Sequence, residues 1–166
     1  MKRLLLFRHA HAVREAQADR DRPLSERGRV DAAAVGRELA RKGLLPGLVL
    51  CSPAIRTRQT LEAVTADLGT PAVVMVDEIY DARVGTLLDL LREQSDEAGP
   101  VMVIGHNPGL EELVALVREE PHGADPMKDG FPTAGVAVLE LPGKHWDKLG
   151  ARRCKLVELV LPPSKA

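Results

Sequence analysis

Residues 101–117 read VMVIGHNPGLEELVALV and place a strand, a polar turn and a helix in direct succession. Residues 101–104 form an apolar run of the kind found in buried strands. The turn that follows carries His106 and Asn107. Four apolar residues then recur at the i, i+3, i+4, i+7 spacing of one helix face, namely Leu110, Leu113, Val114 and Val117. This order predicts a β-strand that ends in a turn of polar side chains at the start of a helix.

The same alternation of strand and helix extends along most of the chain. Apolar runs predict strands at residues 3–7, 48–51 and 72–76, and helical patterns predict helices at 25–41, about 54–68 and around 87–91. Ser25 fits the N-cap of the first helix, and Gly43 fits its end. Residues 135–141 and 154–161 predict two closing strands that pair antiparallel. We expect an α/β fold, a three-layer sandwich with a mostly parallel central sheet flanked by helices, in a single domain over residues 1–166.

The composition argues against several classes of partner. Lys and Arg number 23 against 24 Asp and Glu, a formal net charge of −1, and aromatic residues make up 2%. Balanced charge and few aromatic rings argue against nucleic acid. No apolar run approaches the ~20 residues of a membrane span, and no signal-peptide core is recognisable. Cys51 and Cys154 do not have a zinc or redox spacing. We therefore expect a cytoplasmic protein with reduced thiols that binds neither nucleic acid nor membrane; the sequence carries no signal for its oligomeric state.

Three of the predicted strands end in basic side chains. The first strand runs into Arg8 and His9, the second is followed by Arg56, and the fourth is followed by His106. In open α/β sheets, ligands bind beyond the carboxyl ends of the strands. We therefore expect these four side chains to converge on one site.

Two turns at this edge share a further pattern. Ser52-Pro53 and Asn107-Pro108 each combine a favoured N-cap residue with a proline suited to the first helical position. Both helices would then begin at the sheet edge with free backbone N–H groups, which attract anions. Arg56 would lie in the first turn of its helix and present a planar fork to the same anion. Such a site suits a doubly charged tetrahedral oxyanion, and phosphate is the obvious candidate.

Three other kinds of site fit the sequence less well. His9 and His11 have a metal-ligand spacing, but the chain has five histidines in all, and two of the others fall in predicted loops. A cysteine phosphatase needs the pattern Cys-x5-Arg, whereas Arg56 follows Cys51 one residue too early. The turn at 105–109 lacks the third glycine of a dinucleotide-binding loop. We therefore predict no metal and no cofactor, and place His11 at the pocket rim or in solvent.

Four stretches of the chain resemble one known family. They are RHA at 8–10, RPLSERG at 22–28, SPAIRTRQT at 52–60 and GHNPGLE at 105–111. Together they resemble the histidine phosphatase superfamily, whose fold is phosphoglycerate-mutase-like, and among its members they are most similar to the SixA-type phosphohistidine phosphatases. The resemblance extends over essentially the whole chain.

The resemblance implies a role for each of the four strand-end residues. His9 would be the nucleophile and would become phosphorylated during turnover. Arg8 and Arg56 would bind the phosphoryl oxygens, and His106 would donate a further hydrogen bond to the transferring group. Phosphoryl transfer depends mainly on positioning and charge stabilisation. Hydrolysis in two steps through a phosphohistidine would need no metal.

The sequence does not decide whether the enzyme has a general acid. Many members of the superfamily protonate the leaving oxygen with a glutamate after the third strand, and Glu78 is the candidate equivalent. SixA-type proteins commonly have a Leu-Tyr pair without a dependable acid in this segment, and Ile79-Tyr80 fits that pattern. A protonated phosphohistidine can release neutral imidazole, whereas an alkoxide leaving group needs a proton.

These features lead to three hypotheses about function. The first is a phosphatase that hydrolyses phosphohistidine on a protein domain through a covalent phosphohistidine intermediate, since a short chain has little lid to enclose a metabolite. The alternative is a phosphomonoesterase or mutase acting on a small-molecule phosphate, which a functioning Glu78 would favour. The third is a phosphate-binding module without turnover, against which the intact His9 argues.

Overall fold

Six short strands form a mixed sheet in a computed structural model, which describes residues 1–165. The strands are β1 (Lys2–Arg8), β2 (Leu48–Cys51), β3 (Ala72–Met75), β4 (Val101–Gly105), β5 (Val136–Leu141) and β6 (Lys155–Val160). Their order across the sheet is β3-β2-β4-β1-β5-β6. The first four in this order are parallel, and β5 and β6 run antiparallel to their neighbours. The predicted mostly parallel sheet with an antiparallel closing pair is confirmed.

Three helices connect the parallel strands, and a fourth leads from β4 to the antiparallel β5. They are α1 (Glu26–Arg41), α2 (Ile55–Val64), α3 (Val84–Arg92) and α4 (Gly109–Val117). The Ser25 hydroxyl accepts a hydrogen bond from the Gly28 N–H at 3.1 Å, which confirms Ser25 as the N-cap of α1. Gly43 follows α1 with a φ of +69°, a conformation that favours glycine. Among residues 1–165, no helix is both long and apolar enough to span a membrane.

The sheet separates two apolar cores. Leu4 and Leu6 of β1 pack in the core beneath α3 and α4, whereas Leu5 and Phe7 pack in the core beneath α1 and α2. Successive side chains of a strand point to opposite faces, so a sheet covered on both sides requires strands that are apolar at every position. All four of these side chains are fully buried. The predicted three-layer arrangement is confirmed.

The register of the sheet brings three strand ends level. Arg8 at the end of β1 pairs with Gly105 at the end of β4, and Cys51 at the end of β2 pairs with Ile104. The His9 N–H then donates to the Gly105 carbonyl oxygen at 3.1 Å. The segments that follow β1, β2 and β4 therefore leave the sheet side by side at one edge.

Two helices begin differently from the prediction. Ser52 and Asn107 are predicted as N-caps, yet α2 and α4 begin only after the prolines that follow them. Ser52 is fully buried, and its hydroxyl lies 2.8 Å from Nε2 of His106. The prediction for Ser52 is wrong because this hydroxyl contacts the histidine instead of capping α2. The Asn107 amide oxygen does accept a hydrogen bond from the Glu111 N–H in the first turn of α4, at 3.2 Å.

Candidate active site

A pocket with a volume of about 340 Å³ opens at the carboxyl ends of β1, β2 and β4. Arg8 and His9 reach it from the end of β1, Arg56 from the first turn of α2, and His106 from the residue after β4. The ring centroids of His9 and His106 are 5.3 Å apart. The structure thus brings together the four side chains that the sequence predicts. The other residues that line the pocket are Asp19, Arg22, Tyr80, Asp81, Ala82, Asn107, Pro108 and Gly109.

Contacts around His9 leave one ring nitrogen with a free lone pair. Nδ1 lies 2.7 Å from the Ala10 carbonyl oxygen, and since a carbonyl only accepts, Nδ1 carries the proton. Nε2 is then unprotonated. Burial first, and then the charges of Arg56 and Arg8, lower the pKa of His9 to about 4. The imidazole is therefore neutral at physiological pH.

His106 is also neutral, and one of its nitrogens has no protein partner. Burial first, followed by the proximity of His9 and Arg56, lowers the pKa of His106 to about 3. Its Nε2 lies 2.8 Å from the Ser52 hydroxyl, and its Nδ1 is buried without a hydrogen bond. The Tyr80 ring stands edge-on to the imidazole, with centroids 5.5 Å apart. These neighbours fix the ring beside His9.

Arg8 is held by the loop that precedes β5. Its Nη1 donates to the Phe131 carbonyl oxygen at 2.8 Å, and the Asn107 side-chain amide donates to the same oxygen at 3.0 Å. The Phe131 N–H in turn donates to the Glu111 carboxylate at 2.7 Å. Burial lowers the pKa of Arg8, and the negative charge of Glu111 opposes that effect. The start of α4 therefore orients the Arg8 guanidinium indirectly, through the 131 loop.

Arg56 pairs with a carboxylate that the sequence analysis did not identify. It is 6% exposed, and it donates from Nη1 to the Asp19 backbone oxygen at 2.8 Å and from Nη2 to the Asp19 carboxylate at 3.0 Å. Tyr80 and Arg22 donate to the same carboxylate. The Tyr80 hydrogen bond above all, with those from Arg22 and Arg56, holds the pKa of Asp19 well below its usual range.

Several buried nitrogens of the pocket-lining residues have no protein partner. Within residues 1–165, five buried side-chain nitrogens lack a hydrogen bond, and three of them belong to pocket residues: Nε of Arg8, Nε of Arg56 and Nδ1 of His106. Buried donors without a partner are costly and rare in folded proteins. Because the Arg8 and Arg56 guanidinium groups both line the pocket, an anion bound there would meet two positive charges.

Comparison with known proteins gives the family. The family model of the histidine phosphatase superfamily (branch 1) matches residues 4–100, more than half of the chain. The chain belongs to the histidine phosphatase superfamily. An uncharacterized protein of Mycobacterium tuberculosis is 36% identical over 162 residues, which cover 94% of this chain and 99% of that protein.

Two solved structures are similar in both sequence and fold. Each is of a protein named as a "putative phosphohistidine phosphatase SixA". The one from Agrobacterium tumefaciens is 35% identical with a TM-score of 0.80, and the alignment covers 96% of this chain and 97% of that one. The one from Nakamurella multipartitia is 33% identical with a TM-score of 0.84, covering 98% and 96%. The expected phosphoglycerate-mutase-like fold of this histidine phosphatase is thereby confirmed.

Glu78 does not reach the pocket of this histidine phosphatase. It is exposed on a 3₁₀ turn, Asp77–Ile79, and it is not among the residues that line the pocket. The turn directs Ile79 into the core, and the chain enters the pocket only at the next residue, Tyr80. The position of Glu78 therefore does not fit the general-acid role that the sequence left open.

His11 and Cys51 also lie apart from the pocket-lining residues. His11 Nδ1 is 2.8 Å from the Ser25 hydroxyl at the start of α1. Burial raises the pKa of the Cys51 thiol to about 12, so it does not form a thiolate nucleophile at neutral pH. In the described part of the chain, no three His, Cys, Asp or Glu side chains group as metal ligands would.

Asp19 is the main pocket residue that the sequence does not predict, and Tyr80 is named there only as half of the Ile79-Tyr80 pair, without a place in the pocket. Asp19 lies in a loop without apolar periodicity, so nothing in the pattern distinguishes it from the neighbouring charges of residues 14–22. Tyr80 is the single tyrosine of the chain, and it lies four residues after the predicted third strand. A rare aromatic residue close to a parallel strand end is a signal that can identify such a pocket residue.

Proposed function

We propose that this histidine phosphatase hydrolyses phosphohistidine on a protein domain, without a metal, through a phosphohistidine intermediate on His9. The neutral His9 imidazole, with Nε2 unprotonated in the pocket that Arg8 and Arg56 also line, is the observation that carries the proposal. The names of the two similar structures, at 33% and 35% identity, support phosphohistidine as the substrate class. The proposal treats residues 1–166 as one catalytic domain in the cytoplasm, where the two buried free thiols would stay reduced.

In the first step, His9 attacks the phosphorus atom. Nε2 of His9 forms the new P–N bond while the P–N bond of the substrate breaks. The substrate imidazole already carries a proton on its other ring nitrogen, so it leaves as neutral imidazole and the enzyme supplies no proton. Arg8 and Arg56 bind the phosphoryl oxygens, and His106 donates to the same group. The fixed charges of the two arginines stabilise the transferring phosphoryl group without reorganisation.

In the second step, water releases the phosphate. A water oxygen attacks the phosphorus atom, the bond to Nε2 breaks, and both protons of the water remain with the phosphate, which leaves as H₂PO₄⁻. His9 regains its neutral form with the proton on Nδ1. Since the arginines already balance the charge, neither step needs a metal ion.

The pocket volume also favours a second candidate function. A volume of about 340 Å³ lies within the range of small-ligand pockets, roughly 300–1,000 Å³. A phosphomonoesterase or mutase acting on a small-molecule phosphate would use the same arginines and His9. Such an enzyme must protonate an alkoxide leaving group, so the leaving-group preference separates the two functions.

Initial rates on three substrates test the proposal. A phosphohistidine peptide, a phosphoserine peptide and a sugar phosphate are compared, each with and without EDTA. We expect a preference for phosphohistidine of at least about 100-fold and no effect of the chelator. His9→Ala should abolish turnover, while His122→Ala, which changes an exposed loop histidine, should leave it unchanged. Faster hydrolysis of the sugar phosphate, or an activity that EDTA removes, would contradict the proposal.

A further inference from the structure

The Asp19 carboxylate is anchored from three sides and still accessible. Arg22 donates to Oδ1 at 3.0 Å, Arg56 donates to Oδ2 at 3.0 Å, and the Tyr80 hydroxyl donates to the same Oδ2. The side chain nevertheless keeps 52% of its surface exposed and lines the pocket. Carboxylate oxygens have about four acceptor sites between them, so a ligand group can still bind here.

A negative charge at this position opposes phosphate binding. The pocket gathers arginines around the phosphoryl site, and an ionised carboxylate beside them weakens their attraction for a dianion. If Asp19 only oriented Arg56, a neutral acceptor such as the Phe131 carbonyl, which orients Arg8, would serve the same purpose. The charge is therefore better explained by a cationic part of the substrate.

We propose that Asp19 is a specificity-determining residue that accepts a hydrogen bond from the ring N–H of a protonated phosphoimidazole. The inference rests on the proposed function and extends it to the leaving group. A phosphorylated imidazole with a proton on its other nitrogen is cationic in the ring, and it is the form that releases neutral imidazole. Asp19 would keep the bound substrate in that form, and it would give no such advantage to a phosphoester.

The chemistry of Asp19 separates it from a general acid. Its hydrogen bonds hold its pKa well below the usual range of an aspartate, so it carries no proton to give to an alkoxide at neutral pH. Throughout P–N cleavage the substrate keeps its own N–H, and Asp19 only accepts from it. No proton passes between the enzyme and the leaving group.

Charged and titratable groups line both clefts that Asp19 borders, and Arg14 belongs to the second of them. Arg20 stacks over the Tyr80 ring at 4.6 Å, and the positive charges of Arg22 and Arg56 contact Asp19 directly. The remaining groups of this kind in the pocket are Arg8, His9, Asp81 and His106. Asp81 is the other carboxylate of the pocket, so its variant is the necessary comparison.

Asp19→Asn tests the inference, with two substrates measured on the same preparation. The phosphohistidine peptide has a cationic ring, whereas p-nitrophenyl phosphate releases a stabilised phenolate and has no ring N–H. We expect kcat/KM to fall about 10-fold on phosphohistidine, as for one lost charged hydrogen bond, and less than about 2-fold on p-nitrophenyl phosphate. Asp21→Asn, an exposed aspartate of the same 3₁₀ turn, and Asp81→Asn should leave the ratio of the two rates unchanged.

The pH profile gives a second readout that a structural role would not move. An adjacent carboxylate raises the pKa of the bound phosphoimidazole, so the alkaline limb of kcat on phosphohistidine should move about one pH unit lower in Asp19→Asn. If kcat/KM falls equally on both substrates and the alkaline limb of the pH profile does not move, Asp19 only positions Arg56. That result would overturn this inference but not the proposed function. A wild-type enzyme that hydrolyses p-nitrophenyl phosphate but not phosphohistidine would overturn the proposed function, and the inference with it.

Discussion

Burial and neighbouring charge keep the nucleophile candidate ready without a separate base. His9 is 8% exposed, and two arginines in the same pocket disfavour its protonation, so its pKa lies at about 4. The Ala10 carbonyl accepts from Nδ1 at 2.7 Å and so selects the tautomer with Nε2 free. An ordinary histidine would be partly protonated near neutral pH. The site therefore presents the neutral imidazole as its resting form.

NMR titration of the free enzyme checks this protonation state. With nitrogen-15 labelled protein, we expect the His9 ring to remain neutral with its proton on Nδ1 from pH 8 down to about pH 5, because burial and the two arginines disfavour the cation. His9→Gln assigns the signal. Bound inorganic phosphate adds negative charge and should raise the pKa of His9. An inflection near the ordinary value of about 6.5 in the phosphate-free enzyme would contradict the account.

Among single residues, the sequence predicts those site residues whose positions follow from the ends of strands and helices. His9 and His106 each follow directly on a strand, and Arg56 lies in the first turn of α2. The position of such residues depends on topology alone. Asp19 depends instead on how a 3₁₀ turn packs against Arg56 and Tyr80, and that contact joins segments 37 and 61 residues apart. The local sequence pattern around Asp19 therefore does not predict this contact.

At the scale of elements, one close approach fixes the loop that follows β1. A Cβ atom on Gly28, in the first turn of α1, would lie 2.1 Å from the His11 carbonyl oxygen. The Ser25 N–H also donates to that oxygen at 2.9 Å. The start of α1 is thereby packed directly on the segment that connects β1 to the Asp19 turn. Only glycine permits this contact, and the sequence reveals the cap residue Ser25 but not the contact.

Two glycine variants test this contact. Gly28→Ala should lower the free energy of unfolding by about 2 kcal/mol, because the overpacking outweighs the gain in helix propensity. Gly85→Ala, in α3 with no atom within 4 Å of the added Cβ, should instead raise it by about 0.5 kcal/mol. Urea denaturation measures both. A Gly28→Ala protein as stable as wild type would show that α1 does not rest on the loop as described.

The elements also show where sequence patterns stop being informative. Apolar runs predict the central strands β1, β2 and β4 because the sheet is buried there on both faces. The end of α2 is less predictable: apolar residues continue to Leu68, but the chain tightens into a 3₁₀ turn at Thr65–Asp67. There the Thr65 hydroxyl donates to the Leu61 carbonyl oxygen at 2.7 Å. Such side-chain bonds compete with the helix and are invisible to periodicity.

At the scale of the whole molecule, a near-neutral chain concentrates positive charge at one edge. The net charge is −1, yet the pocket gathers three arginines, Arg8, Arg22 and Arg56. The neutral His9 is buried beside them, and the neutral His106 is half-buried. Their lowered pKa values connect the site to the stability of the fold, because the unfolded chain binds protons that the folded chain excludes.

The free energy of unfolding should therefore fall between pH 6.5 and about 4. In this window the unfolded state binds more protons than the folded state at His9 and His106, whose folded pKa values are about 4 and about 3, so stability is lost as the pH falls. We expect each histidine to lower the free energy of unfolding by on the order of 2 kcal/mol at pH 4.5 relative to pH 7. The pKa of Asp19 is also lowered in the folded state, so Asp19 stabilises the fold. This stabilisation is lost only when the pH falls below the ordinary pKa range of an aspartate.

Urea titrations in phosphate-free buffer at pH 7 and pH 4.5 measure this loss. A double variant, His9→Gln with His106→Gln, removes both imidazoles and should be much less sensitive to pH over the same interval. Equal pH sensitivity in the wild type and the double variant would show that the two histidines are not held neutral by the fold.

Trapping of the phosphoenzyme tests the central claim most directly. The enzyme is mixed with a phosphohistidine peptide, quenched in base within milliseconds, digested and analysed by mass spectrometry. We predict a phosphoryl group on His9 that appears before free phosphate, is lost in acid, is absent from His9→Ala and persists in His122→Ala. Turnover by the wild type with no phosphoryl group on His9, or with the group on another residue, would contradict the account.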